Sequence, residues 1–470
     1  TEGTAPVDNP LKGLLYWWYK NDNPDLKITP TSMEWHYFGL GDLMTGPDSY
    51  NWEPMEEYLD QVAAHGNQAC LRVTTNISFG GKDIPDFLQD LPLTDGNLPY
   101  DNPRVVSAFT NFIRAFGREY DGDPRIGFLT MGLVGKWGEW HTWPYEGGDN
   151  GNPDLMPSRE TCETIINAYH EAFRITPLEI RYPRVAGGTL LASLADIGYH
   201  DDSFGYREND PVLGRIGSMT LPMSLGGKTD SLVTQELTYG VENKWLTASI
   251  GGEVRPEIQG QFTDPANQTK DDPIDDIEVS HATWMMCNQA AWPASDSDAM
   301  DVLRKFGYNL VVRKAYYNPS VSGIMKIGVQ IENTGAAPFY YGPEQWPVLV
   351  GLKDSSGNVV KTWQTDWNLK KVVPSKIRAL PEWNLPGNPK YVTISEPYYF
   401  ETSADLRGVA EGTYTLVMRV RNPLELLTKE DLADHNDFSW QPYKLPKKLY
   451  FANQEQTADG WLSLGNTTVG

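Results

Sequence analysis

The first 300 or so residues alternate between two hydrophobic periods, and that alternation leaves few folds open. Short apolar runs of strand length are followed by longer stretches with helical spacing, which predicts βα units and a parallel sheet. The runs fall at 13–19, 33–39, 69–75, from Gly127, 178–182, 197–200, 245–250 and 282–287. Between them, Met55, Tyr58, Leu59, Val62 and Ala63 line one side of a predicted helix that His65-Gly66 stops. Phe109, Phe112, Ile113 and Phe116 do the same in a helix predicted over 105–120, and a third is predicted over 159–173. Eight βα units predict a (β/α)8 TIM barrel, in which functional groups stand at the C-terminal ends of the strands.

Near residue 305 the pattern changes. Alternating runs at 310–316, 324–331, 348–352 and 414–420, separated by turns such as Asp354-Ser-Ser-Gly-Asn358, predict an antiparallel, immunoglobulin-like β-sandwich. The expected organisation is therefore a barrel over 1–304 and an all-β domain over 305–470. Thr1 to Asp8 reads as a disordered leader.

A formal net charge of −23 argues against nucleic acid and against anionic membrane surfaces. An anionic ligand would need a local basic pocket set against that field. No run approaches the roughly 18 apolar residues of a membrane span. Cys70, Cys162 and Cys287 form no CxxC and cannot all pair, so buried free thiols are expected. The chain opens on Thr1 without a signal peptide, as a processed protein would, and export to a secreted, periplasmic or cell-surface location is the expectation. Aromatic residues make up 12% of the chain, which suits a carbohydrate partner. No protein partner is indicated.

The strand-four run breaks at glycines and ends in Trp137-Gly-Glu-Trp-His141. A carboxylate among aromatic rings at the end of a buried strand is placed for a raised pKa and proton transfer. Strand seven leads to a second one in Ile250-Gly-Gly-Glu253. Strands four and seven oppose each other across a barrel mouth. Glycoside cleavage needs two carboxyl groups about 5–5.5 Å apart for retention and about 6.5–9.5 Å apart for inversion. Glu139 and Glu253 are the expected catalytic pair. Asp201 and Asp202 compete with them, and because adjacent residues of a strand face opposite ways, only one of the two should enter the site. Trp35, His36, Arg72, Asn76, Trp137, His141, Tyr182, His200 and Trp292 also fall at strand ends and are candidate sugar contacts. A buried Arg72 would require a carboxylate or ligand partner.

Other chemistries are poorly supported. With no HExxH no zinc site is expected, and neither GxSxG nor a phosphate loop occurs. No cofactor is expected beyond a possible structural calcium at Asp121-Gly-Asp123 or Asp149-Asn-Gly-Asn152.

Asn9-Pro-Leu-Lys-Gly13, Tyr50-Asn-Trp-Glu53, His65-Gly66 before Leu71-Arg72, Asp123-Pro-Arg-Ile126 and the Glu139/Glu253 pair resemble the barrels of glycoside hydrolase clan A. More closely, the whole chain resembles a poorly characterised group of bacterial secreted proteins. Those proteins join a clan-A-like barrel to a β-sandwich and carry a Gly-Glu-Trp motif at strand four. The resemblance implies a retaining glycoside hydrolase acting on a poly- or oligosaccharide, with Glu139 as acid/base and Glu253 as nucleophile. One residue departs from the pattern: clan A places Asn directly before its acid/base, where this chain has Gly138. The alternatives are an inverting enzyme using Asp201 or Asp202, a barrel that binds sugar without cutting it, and a polysaccharide lyase using His141, Tyr182 or His200 as base.

Overall fold

The computed structural model describes residues 1–470 except 19–28, 78–80, 148–150, 211–214, 222, 224–226, 229, 265–271, 289–291, 375–377, 381–389, 393–394 and 440–441. Eight parallel strands close into a barrel. They are β1 (Gly13–Trp17), β2 (Met33–Gly39), β3 (Gln68–Thr74), β4 (Ile126–Thr130), β5 (Leu178–Ile180), β6 (Ile197–Phe204), β7 (Ile250–Val254) and β8 (Trp284–Met286). Each strand pairs with its neighbours in sequence, and β8 pairs back onto β1.

Helices α1 (Glu53–Ala64), α2 (Pro103–Tyr120), α3 (Arg159–Ala172), α4 (Thr189–Ser193), α5 (Leu232–Tyr239), α6 (Pro273–Ser280) and α7 (Ser297–Lys305) follow β2 to β8 in turn. The segment after β1 lies outside the described residues. The local chemistry of α2 explains its ends. The Asn102 side chain accepts from the Arg104 N–H, Pro103 supplies a preset φ, and Gly122 takes a φ of +83° just beyond. Its buried face carries Val105, Phe109, Phe112, Ile113 and Phe116, matching the expected spacing.

Strand seven starts later than its apolar run suggests. Lys244–Leu246 forms a 3-10 turn, so Trp245 packs outside the sheet and Glu253 lies within β7 instead of beyond its end. Likewise β6 extends through Asp201 and Asp202.

Period-two alternation sorts the barrel residues into layers. Met33, Trp35, Cys70, Phe128, Trp284 and Met286 fill the lower interior. Gly251 leaves room for the Trp284 ring, since a Cβ there would sit 2.2 Å from it. Above that layer the inward side chains become polar.

The second region holds β9 (Leu310–Tyr317), β10 (Ser320–Val321), β11 (Ile324–Asn333), β12 (Val348–Lys353), β13 (Val359–Gln364), β14 (Tyr398–Asp405), β15 (Gly412–Val420) and β16 (Leu462–Val469). They form a three-stranded sheet, β9-β11-β14, and a five-stranded one, β10-β16-β15-β12-β13. One buried cluster runs from Leu15, Trp35 and Trp284 into Tyr308, Phe339, Tyr341 and Trp346, so this region seals the lower end of the barrel. The Tyr341 hydroxyl donates to the Ile126 and Gly127 carbonyls at 3.1 and 2.8 Å, and that of Tyr340 to the Trp245 carbonyl at 2.6 Å.

The first residues are not the loose leader their composition suggests. The Gly3 N–H donates to the Ala452 carbonyl at 2.8 Å, and Glu2 pairs with Arg313. The three cysteines are free and buried. In the Asp121–Asp123 turn, Asp121 accepts the backbone N–H groups of Arg174, Ile175 and Thr176, and Asp123 pairs with Arg125. Asp149 lies outside the described residues. No helix of the described residues is long and apolar enough to cross a membrane.

Candidate active site

The upper polar layer gathers around one guanidinium. Arg72, on the inward face of β3, is 1% exposed and uses all its donors. Nε donates to the Thr130 hydroxyl at 2.8 Å, and Nη1 to the Tyr37 hydroxyl and the Trp137 carbonyl, each at 3.3 Å. Nη2 donates to Asp202 and approaches His200 Nδ1, each at 3.1 Å. Nη1 also lies 3.7 Å from Glu139. Arg181, just past β5, is the second cation. It donates to Asp201 at 2.9 Å, and its Nε lies 3.8 Å from Glu139 and 3.9 Å from Asp202. That buried Nε has no hydrogen-bond partner.

Glu139 therefore faces two guanidinium groups, and His141 Nε2 at 3.3 Å as well. Glu253 faces a different field. Its Oε1 accepts from the Gln259 amide at 3.1 Å, and among the described residues no cation sits within ion-pair distance. Burial, then the charges of Asp202 and Glu139, push its carboxyl well above the ordinary value; Arg72 and Gln259 oppose this only in part.

The β6 residues divide by strand face. Asp202 points inward; burial would raise its pKa, but Arg72, His200 and Arg181 prevail and hold it well below the usual range. Asp201 takes the opposite face, accepting from the Thr220 hydroxyl at 2.8 Å and the Ser203 N–H at 3.0 Å. Burial drives His200 down to about 4, with Asp202 pulling the other way, so the imidazole is neutral near pH 7. Tyr182 is held between Arg181 and Arg184, whose guanidinium carbons lie 4.7 and 4.6 Å from its ring centre. His141 stands 6.4 Å from that ring.

The loop bearing Glu139 is strained. Leu133, Trp137 and Trp140 have positive φ, as do Gly135 and Gly138, and such conformations persist only where the surroundings enforce them. Here the enforcement is visible. The Trp140 indole donates to the Met131 carbonyl at 2.7 Å, and the Trp137 N–H to the Asn76 carbonyl at 2.8 Å. Trp140 is thus buried core, and Trp137, 43% exposed, is the open ring beside His141. Gly138 has a reason of its own. Its φ is +72°, and a Cβ would come within 3.1 Å of both Arg72 Cδ and Gly132 Cα. The guanidinium stem fills the space an asparagine side chain would need.

Four expected sugar contacts are misplaced. His36 points outward from β2 and packs against Trp18, Phe38 and Tyr58, because its neighbours Trp35 and Tyr37 take the inward face. Trp35 is inward but 1% exposed, beneath Tyr37, where its ring supports Arg72 at 5.3 Å. Asn76 directs its amide to the Asp95 carbonyl and to Asn97, bracing the loop. Trp292 is buried in a cluster with Val7, Phe204 and Met300 instead of offering a platform. Two residues absent from the sequence reading take their places: Tyr37 and Arg181. Both were accessible through alternation, since a polar residue recurring on the inward face of a buried strand marks the layer it joins.

No family model matches the chain, and no curated protein matches it. Among solved structures, the endoglucanase Cel5A of Pseudomonas stutzeri is 11% identical, over 63% of this chain and 96% of that one, with a TM-score of 0.38. A GH5_18 protein from Streptomyces cattleya, solved with GlcNAc, is 13% identical over 61% of this chain and 71% of that one, with a TM-score of 0.36. A CARDB domain from Pyrococcus furiosus, solved with di-metal ions, is 11% identical over 35% of this chain and 90% of that one, with a TM-score of 0.15. Similarity at this level does not bear on what this chain does. The barrel stands on its own closed strand order, and the site on its own contacts.

Proposed function

We propose that the chain is a glycoside hydrolase acting on a poly- or oligosaccharide, with Glu139 and Glu253 as its carboxyl pair. One observation carries this reading: two carboxyls, Glu139 in the loop after β4 and Glu253 on β7, sit in unlike surroundings, the Glu253 pKa raised by burial and Glu139 flanked by Arg72 and Arg181. Two carboxyl groups placed in unlike surroundings are the arrangement from which acid and base roles arise. The roles run opposite to those implied by the resemblance to clan A. Glu253 gives its proton to the glycosidic oxygen as the C–O bond breaks, and the Glu139 carboxylate faces the carbocation-like carbon. Trp137, 43% exposed, offers a ring face to a sugar.

Sugar release from a glycan panel by the wild type, Glu139→Gln and Glu253→Gln tests the pair; each substitution should lower the rate by at least about 100-fold. An aryl glycoside whose leaving group needs no proton should restore turnover to Glu253→Gln but not to Glu139→Gln. Restoration in the reverse order would return the roles to those the resemblance implies, and sugar release untouched by either change would remove the pair altogether. A second reading, a barrel that binds sugar without cutting it, draws on the saturation of Arg72 by protein groups alone. Glycan binding without release by the wild type would favour it.

A further inference from the structure

A cavity lies at the other end of the barrel, and nothing in the proposed hydrolysis uses it. Residues 3–6, the end of α7 and residues 334–336 enclose about 420 Å³ around Lys12. Lys12 precedes β1 and is 3% exposed. Its ammonium donates to the Tyr308 carbonyl at 2.8 Å and the Arg304 carbonyl at 3.2 Å, which uses two of its three N–H groups. Among the described residues no carboxylate lies within ion-pair distance of it. Burial, with Arg304 adding to it, lowers its pKa to about 7.

The other charged groups of the wall are Arg304, Lys305 and Glu278. Lys305 is paired with Glu278 at 3.1 Å. Arg304 Nη1 is paired with Asp301 at 2.6 Å, but its Nε is buried with no partner. Arg304 and Lys305 are thus each balanced by a carboxylate, and Lys12 is the cation of this wall without one among the described residues. A buried ammonium without a counter-charge is destabilising, and so is a buried N–H without an acceptor. Lys12 does cap carbonyls near the C-terminal end of α7, a favourable place for a cation. That role accounts for neither the unpartnered Arg304 Nε nor the empty space.

We propose that this cavity binds a small organic oxyanion, a carboxylate or a phosphate, through the remaining Lys12 N–H and the partly exposed guanidinium of Arg304. The volume exceeds what an inorganic ion fills and falls in the range of small-molecule sites, so the anion is carried on a body of about monosaccharide size. This assignment is independent of the chemistry at the mouth.

Titration calorimetry and thermal unfolding of the full chain test it, using glucose 6-phosphate, glucuronate, inorganic phosphate and acetate at constant ionic strength, with chloride as control. Saturable binding of glucose 6-phosphate or glucuronate, with a raised Tm, is expected, and the ligand that binds identifies the phosphate or the carboxylate as the anion. Lys12→Met and Arg304→Gln should each weaken that binding by at least about tenfold. Arg304 is partly exposed, so Arg304→Gln serves if Lys12→Met does not fold. No saturable binding, a Tm shift matched by chloride, or unchanged affinity in a folded variant would overturn the proposal.

Discussion

The two ends of the barrel are built from the same eight strands and the same inward alternation, yet they differ in kind. At the lower end Trp35, Phe128 and Trp284 meet Phe339 and Trp346, the Tyr340 and Tyr341 hydroxyls are satisfied by carbonyls, and Lys12 is the buried cation at the edge of this layer. At the upper end two guanidinium groups and three inward carboxyls share a small volume, with the pKa of the Glu253 carboxyl raised well above its ordinary value by burial. The lower end gains stability from apolar area removed from water. The upper end holds charges whose desolvation is only partly offset by their pairing. Several charged groups converging on one site mark the upper end as the candidate for chemistry.

That contrast can be broken by substitution. Arg72→Met should have the largest effect, about 3–5 kcal/mol of stability lost in urea unfolding, because it strands Asp202 and Glu139 without their main cation. A loss below 1 kcal/mol would mean that the upper layer is not held by its charges.

The next test uses pH and sits between the two layers. Glu179 is fully buried, and burial lifts its carboxyl from 4.5 to about 8, against hydrogen bonds from Ser249 and Trp284. Its folded pKa lies above its unfolded one, so the folded state binds the proton more tightly. Its contribution is fully present below the unfolded value and is lost as pH rises towards the folded one. Glu179→Gln should therefore gain stability relative to wild type between pH 5 and pH 8, and parallel pH–stability curves would refute a protonated Glu179.

Smaller effects follow. Gly138→Ala should lower stability by about 1–2 kcal/mol, from its left-handed φ and its contacts with Arg72 and Gly132. Tyr341→Phe, at the lower end, should lower it by about 1 kcal/mol by leaving the strand-end carbonyls of Ile126 and Gly127 unpaired. Trp137→Ala should change unfolding by less than about 0.5 kcal/mol, since the ring is exposed. If the proposed function holds, the same change should raise KM for an oligosaccharide more than it lowers kcat.

Much of the barrel was legible because strand and helix periods differ, and eight runs with helical stretches between them admit few closures. The run at 245–250 misled because its apolar residues serve a 3-10 turn against the antiparallel-sheet region, an environment set by Tyr340, 95 positions away. Within the site, residue type was a weaker guide than strand face. His36 was favoured for its imidazole, while alternation with Trp35 already placed it outside and Tyr37 inside. Arg181 follows the same rule with Glu179, flanking the outward Ile180. The conformation of the Glu139 loop was not legible, because the positive φ of Leu133, Trp137 and Trp140 arises from tertiary contacts.

The hydroxyls of Tyr340 and Tyr341, with the apolar cluster around them, have a consequence for how the molecule comes apart. A cut near residue 305 would leave Leu15, Trp35 and Trp284 facing water on one fragment and Tyr308, Phe339 and Trp346 on the other. Neither piece would keep a closed core, so heat should melt the barrel and the antiparallel sheets in a single cooperative transition, with calorimetric and van't Hoff enthalpies in agreement. The boundary that the sequence pattern draws between two domains is, for the thermodynamics of unfolding, not a seam.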